Sequence, residues 1–258
     1  MLQRKRAFSG LTATLAVLLL AAPVAGHAQP SGLDPEATKI LRRMTDFLAS
    51  QKQFRVETHS TVEVVLTNGQ KLQFDNGIAL TIQRPDRLRA ERLGETLSQK
   101  FYFDGMSLSA YSPAGKYYAT VAVPPTLEAM LDFARDDLDI AAPASDLLYK
   151  DAYERLLQDV TSGFVVGKSV IGGVRTDHLA FSGKEVDWQV WVEEGAKPLP
   201  RKYVITSKLV TGGPEYIVII GKWDLAPKIE AGSFAFAPPK DAKKIEFLRP
   251  AAKNTAKR

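Results

Sequence analysis

The sequence predicts a mainly β fold with helices, in which about eleven antiparallel strands curl into an open or closed barrel behind one leading helix. Three observations predict it. Short runs rich in β-branched and aromatic residues recur along most of the chain, turns rich in Gly, Asn and Asp separate them, and helical spacing appears in only two places. A sheet this wide does not stay flat, and helices inserted halfway along it are placed to cover its inner face.

The leading helix spans Asp34 to Gln51, where Ala37, Ile40, Leu41, Met44, Phe47 and Leu48 recur at helical spacing and Asp34-Pro35 supplies an N-cap and a first-turn proline. Strands follow over Phe54–Thr67, Lys71–Gln83, Arg87–Leu93, Gln99–Phe103, Ser107–Tyr111 and Lys116–Val123. The turns Asn68-Gly69, Asp104-Gly105 and Pro113-Ala114-Gly115 are short enough to pair consecutive strands, so this half reads as an antiparallel meander. Pro124-Pro125 ends the β pattern. From Thr126 to Val160 the spacing of Leu127, Met130, Leu131, Ala134 and Leu138, then of Leu147, Leu148, Tyr153, Leu156 and Leu157, predicts two or three short helices. Strands resume at Gly163–Val170, Arg175–Phe181, Val186–Glu193, Arg201–Leu209 and Tyr216–Trp223, with a last short one near Phe234–Phe236.

At the start of the chain, Arg4, Lys5 and Arg6, the uncharged run Leu11–Ala22 and the small residues Gly26 and Ala28 have the layout of a secretory signal. Residues 1–28 are therefore expected to be a cleaved leader. The uncharged run is short for a bilayer span, which needs about 20 residues, and Pro23 and Gly26 break it. Residues 29–248 then make one domain, and 249–258 a basic, disordered tail. Cysteine is absent, which excludes disulfides, thiolate metal sites and a lipid-modified cysteine. The formal charge of +5 falls to +2 once the three leader cations are discounted, which is poor support for a nucleic-acid partner.

Candidate chemistry is sparse. Beyond the leader only His59 and His178 remain, far apart in strand-like segments and without metal-ligand spacing, so both read as ordinary strand histidines. Gly163-Phe164-Val165-Val166-Gly167-Lys168-Ser169 is one residue short of a phosphate loop and leads into a strand, where the anion-cradling helix terminus is missing. Asp132, Asp136, Asp137 and Asp139 read as the wet face of a helix. No catalytic residue, cofactor or metal is assigned.

The apolar residues say more. On the strand Asp187–Glu193, Trp188, Val190 and Val192 share one face and Asp187, Gln189, Trp191 and Glu193 the other. Tyr216–Ile220 and Phe101–Phe103 are apolar on both faces, as expected where one side packs and the other lines a core or cavity. The inward positions expected to line a cavity are Phe101 (or its neighbour Tyr102), Leu108, Trp188, Val190 and Val218; parity within a strand is readable, but not which parity points inward. A barrel filled by its own side chains is the alternative.

Several segments carry a resemblance: Arg84-Pro85-Asp86-Arg87-Leu88-Arg89, Phe103-Asp104-Gly105-Met106-Ser107-Leu108-Ser109-Ala110-Tyr111-Ser112-Pro113, Pro143-Ala144-Ser145-Asp146-Leu147-Leu148, Pro198-Leu199-Pro200-Arg201-Lys202 and Phe234-Ala235-Phe236-Ala237-Pro238-Pro239. In that order they resemble the bacterial lipoprotein-localisation carriers (the LolA/LolB-like superfamily) and a related family of predicted periplasmic proteins of unknown function. The resemblance implies an unclosed antiparallel β-barrel with a helical lid, a periplasmic location, and Arg84 as the arginine that latches the lid through its backbone. It implies a non-enzymatic carrier or binding protein that holds a lipid, a lipoprotein acyl chain or another hydrophobic ligand. The segment from Thr126 to Val160 is longer than the usual lid, and the strand Trp188–Glu193 is closer to the family of unknown function. The alternative is an envelope protein–protein interaction or sensor module that uses its curved sheet and has no ligand cavity. No stable transmembrane anchor is expected in either case.

Overall fold

The computed structural model describes residues 32–95 and 97–247; the leader expected over 1–28 and the tail expected over 249–258 lie outside the described residues. Helix α1 (Pro35–Ser50) starts where the sequence places its cap, with the Asp34 carboxylate accepting from the Glu36 amide at 2.9 Å. Its buried stripe is Ala37, Ile40, Leu41, Met44, Thr45 and Leu48.

The first run of strands is β1 (Gln53–Val65), β2 (Lys71–Gln83), β3 (Arg87–Gly94), β4 (Gln99–Phe103), β5 (Ser107–Ser112) and β6 (Tyr117–Ala122). The chain then passes through α2 (Leu127–Asp136), a 3₁₀ turn (Ser145–Leu148) and α3 (Ala152–Leu157). Strands β7 (Val160–Ile171), β8 (Val174–Gly183), β9 (Val186–Glu193), β10 (Pro200–Ser207) and β11 (Glu215–Asp224) follow, and β12 (Lys243–Lys244) closes the described chain. The turns behave as their residues require. Asp104, for example, accepts from the amides of Met106 and Ser107 at 3.0 and 2.8 Å while Gly105 takes a φ of 87°.

All twelve strands form one sheet, in the order β12-β6-β5-β4-β3-β2-β1-β11-β10-β9-β8-β7. The two end strands do not pair, so the barrel is unclosed. The two halves of the meander meet where β1 pairs with β11, through a register shift between Val56 and Thr58 that adds local bend. Among the described residues, no helix is long and apolar enough to cross a membrane.

The end of the sheet departs from the expectation of a strand near Phe234–Phe236. There the chain is irregular, and the Phe236 ring instead sits among Tyr102, Tyr111 and Tyr118 at centroid distances of 5.4 to 5.9 Å. Pro238 and Pro239 have no N–H to give to a ladder, so pairing is delayed until Lys243 runs parallel beside Tyr117. Strand β12 covers the β6 edge as the one parallel pairing between strands of the described sheet.

Candidate functional site

Cross-strand register decides which side chains share a face, because residues opposite one another in a ladder point the same way. Phe54, Ile82, Leu88, Phe103 and Leu108 oppose one another across β1 to β5 and are all buried. On the other wing, Leu179, Val190, Tyr203 and Val218 form the matching row, flanked by Phe181 and Trp188. These residues join one core cluster with the stripe of α1, with Leu127, Met130 and Ala134 of α2, with Leu147 of the 3₁₀ turn and with Leu156 of α3. The helices therefore lie on the inner face.

Of the expected lining residues, Leu108, Trp188, Val190 and Val218 are buried in this helix-covered core, and Phe101 is half-buried at its margin. Tyr102 points the opposite way, against Phe236. Trp188 stacks on Phe181 at 4.1 Å and meets the Tyr203 ring edge-on at 5.8 Å. A ligand reaching these side chains has to displace helix side chains. Trp191, on the outer face, is only 7% exposed, because His178 stacks on it at 4.0 Å and the Lys202 ammonium lies 4.6 Å from its ring centre.

Arg84 contacts the helical cover at two points. This guanidinium sits in the β2–β3 turn, donates to the Leu148 carbonyl at 2.7 Å and forms an ion pair with Glu128 of α2 at 3.3 Å. The Leu127 amide also bonds to the Pro85 carbonyl, at 2.8 Å. The outer surface of the cover is charged: Asp132 accepts from Arg135 and from the Tyr149 hydroxyl, and Arg155 lies over the Tyr149 ring at 4.0 Å. Burial and the Asp132 bond push the Tyr149 hydroxyl up to about 12. Asp132 thus belongs to a salt-bridged surface, and no group of three or more metal-ligating side chains occurs among the described residues. The glycine-rich segment Gly163–Ser169 lies within β7, and His59 is an exposed strand residue 3.7 Å from Asp75.

Further along β1, β2 and β3 the inner face has a different character. The inward rows there pair Val56 with Leu80, Thr58 with Ile78, Ser60 with Asn76, Val62 with Phe74 and Val64 with Leu72, and β3 adds Ala90 and Arg92. Val62, Leu72, Phe74, Ile78 and Leu80 are half-buried and Val64 is 42% exposed. We call this partly exposed, mostly apolar strip beside the helical cover the trough. From Leu80 to Leu72 it runs about 27 Å along β2, at ~3.4 Å per residue. Ser60, Asn76, Arg92 and Tyr216 put polar groups on its floor. Burial raises the Tyr216 hydroxyl pKa, while Ser60 and the positive charge of Arg92 counter the rise.

The trough residues were not among the sequence candidates, although a signal for them exists in the alternation Val62-Glu63-Val64 and Leu72-Gln73-Phe74-Asp75. Two crevices open elsewhere. One, of about 510 Å³, lies between Gln53, Gln83, Arg87 and the segment Pro227–Phe234; the other, of about 580 Å³, is lined by Glu193, Lys197, Arg201, Lys222 and Trp223.

A family model described as "Predicted periplasmic protein (DUF2092)" matches residues 37–248. No curated protein matches the chain. Among solved structures, the chain is similar to an uncharacterised conserved protein from Thermus thermophilus, with 9% identity and a TM-score of 0.48 over 82% of this chain and 99% of that one. It is similar to LprF from Mycobacterium bovis, with 15% identity and a TM-score of 0.44 over 83% and 100%. It is also similar to one chain of the MucA/MucB complex structure from Pseudomonas aeruginosa, with 12% identity and a TM-score of 0.42 over 78% and 61%. Likenesses this distant carry no functional weight.

Proposed function

The chain belongs to the DUF2092 family of predicted periplasmic proteins, and from that premise we propose that it is a non-enzymatic binding protein or carrier that takes a lipid or acyl chain into the trough beside its helical cover. The observation that carries this reading is the division of the inner face. One part is packed beneath α1, α2 and α3, while Val62, Val64, Leu72, Phe74 and Ile78 stay half-buried or exposed on the same face. Apolar side chains kept partly in water gain about 25 cal/mol for each Å² that a ligand covers. Arg84 acts in this reading as a latch, which holds the cover over the packed part and adjusts how far a bound chain extends beneath it.

The test is direct. The protein purified gently from a periplasmic extract is expected to carry lipid detectable by mass spectrometry, and the delipidated protein to bind the neutral fluorophore 1-N-phenylnaphthylamine with enhanced emission. Phe74→Asp should weaken that binding by placing a charge in the apolar trough while leaving the fold intact. Absence of both co-purified lipid and probe binding would leave the protein–protein interaction reading as the better one.

A further inference from the structure

We infer that Arg92 anchors an oxyanion headgroup, so that the ligand of the trough is an anionic amphiphile rather than a neutral lipid. This inference rests on the binding reading above and specifies its ligand class. Arg92 lies opposite Ile78 on the inward row of the sheet and is half-buried. Its Nε donates to Asn76 Oδ1 at 2.9 Å, and Asn76 is in turn held at 5% exposure with its amide directed to the Phe74 carbonyl at 3.3 Å. Gly94 makes room for this arrangement, since a Cβ there would stand 2.3 Å from Asn76 Oδ1.

Among the described residues no carboxylate lies within 4.0 Å of Arg92; the exposed Arg43 and Arg55 share that lack, whereas Arg84, Arg87, Arg89, Arg135, Arg155, Arg175 and Arg201 each have at least one. Its terminal nitrogens have no hydrogen-bond partner among those residues either. Its cross-strand partner on β4 is the neutral Gln99, and the remaining neighbours on the same face are neutral too: the hydroxyl residues Ser60 and Tyr216, and the apolar Val62, Phe74, Ile78 and Ala90. A guanidinium oriented at Nε by a buried amide, open at its two other nitrogens and set among uncharged side chains is suited to a bidentate carboxylate or phosphate. A charge in such surroundings is costly until it is paired, so an anion gains more there than a neutral polar group.

The experiment compares three amphiphiles with the same tail, oleate, 1-oleoyl lysophosphatidate and oleyl alcohol, by displacement of 1-N-phenylnaphthylamine from the delipidated full chain below micellar concentrations. Both anions are expected to bind at least tenfold tighter than the alcohol, and their relative order distinguishes carboxylate from phosphate. Arg92→Leu should remove most of that preference while leaving alcohol affinity within about twofold. Equal binding of all three by the unsubstituted protein, or an equal loss for all three in Arg92→Leu, overturns the anchor and leaves the binding reading standing. Failure of all three to bind overturns both. The comparison on the unsubstituted protein decides the matter even if the variant does not fold.

Discussion

Arg84, in the turn between β2 and β3, donates a 2.7 Å hydrogen bond to the backbone carbonyl of Leu148, 64 residues further along the chain. The same guanidinium pairs with Glu128, its side chain is 7% exposed, and its Nε has no partner among the described residues. This buried charge joins the sheet to α2 and to the 3₁₀ turn of the helical cover. Charge-assisted hydrogen bonds contribute roughly 1.5 to 3 kcal/mol. Arg84→Leu is therefore expected to speed amide exchange across Leu127–Leu157 while exchange in β1 to β5 is unchanged. Equal exchange in the cover of both proteins would reject the latch.

The packed and open parts of the inner face should respond differently to truncation. Trp188→Ala removes a stacked, buried ring and is expected to cost about 3 to 5 kcal/mol. Phe74→Ala, at a half-buried position, should cost about 1 kcal/mol. Denaturant unfolding of the two variants measures the contrast; similar losses would mean that the trough is closed in solution.

Asp146, in the 3₁₀ turn of the cover, is held above the usual carboxylate range because burial outweighs the attraction of Arg135 and Arg155. The folded state thus binds this proton more tightly than the unfolded state does. The contribution of the group to stability is greatest below its unfolded pKa and is lost as pH rises through the raised folded value. Asp146→Asn is accordingly expected to be more stable than the parent at pH 7, with the advantage shrinking toward pH 4. Thermal melts across that range check the sign, and a less stable variant at pH 7 would contradict it.

Phe236 fixes the segment after β11 to the outer face through its three tyrosine neighbours. Phe236→Ala should free the chain between Ile229 and Lys240 to limited proteolysis and cost about 1 to 3 kcal/mol, with the β6 edge losing protection as β12 departs. Unchanged cleavage would show that the pairing of Lys243 and Lys244 with β6 holds the segment by itself.

Much of this architecture is legible from one-dimensional patterns. The composition of Lys71–Gln83, Gln99–Phe103 and Val186–Glu193 marks strands whose bounds the structure reproduces, and Asp34-Pro35 marks the start of α1, because strand composition and capping are local properties of the chain. The double prolines at 124–125 and at 238–239 mark breaks for the same reason: neither can donate to a ladder. Phe234–Phe236 has the composition of a strand and is none; the Phe236 ring packs against three tyrosines of the sheet while the backbone there joins no ladder.

By itself, then, the sequence determined where most of the strands, turns and helices lie, and which residues within a strand share a face. It could not determine which face is inner or how far along that face the helices reach. Both depend on the pairing of β1 with β11, which brings together residues more than 150 positions apart. That pairing places Val218 opposite Ser60, puts Trp188 and Val190 beneath helix side chains, and leaves Val62, Phe74 and Arg92 on the same face in the trough. Only the tertiary structure decides such matters, because exposure belongs to the assembled surface and not to any segment of the chain.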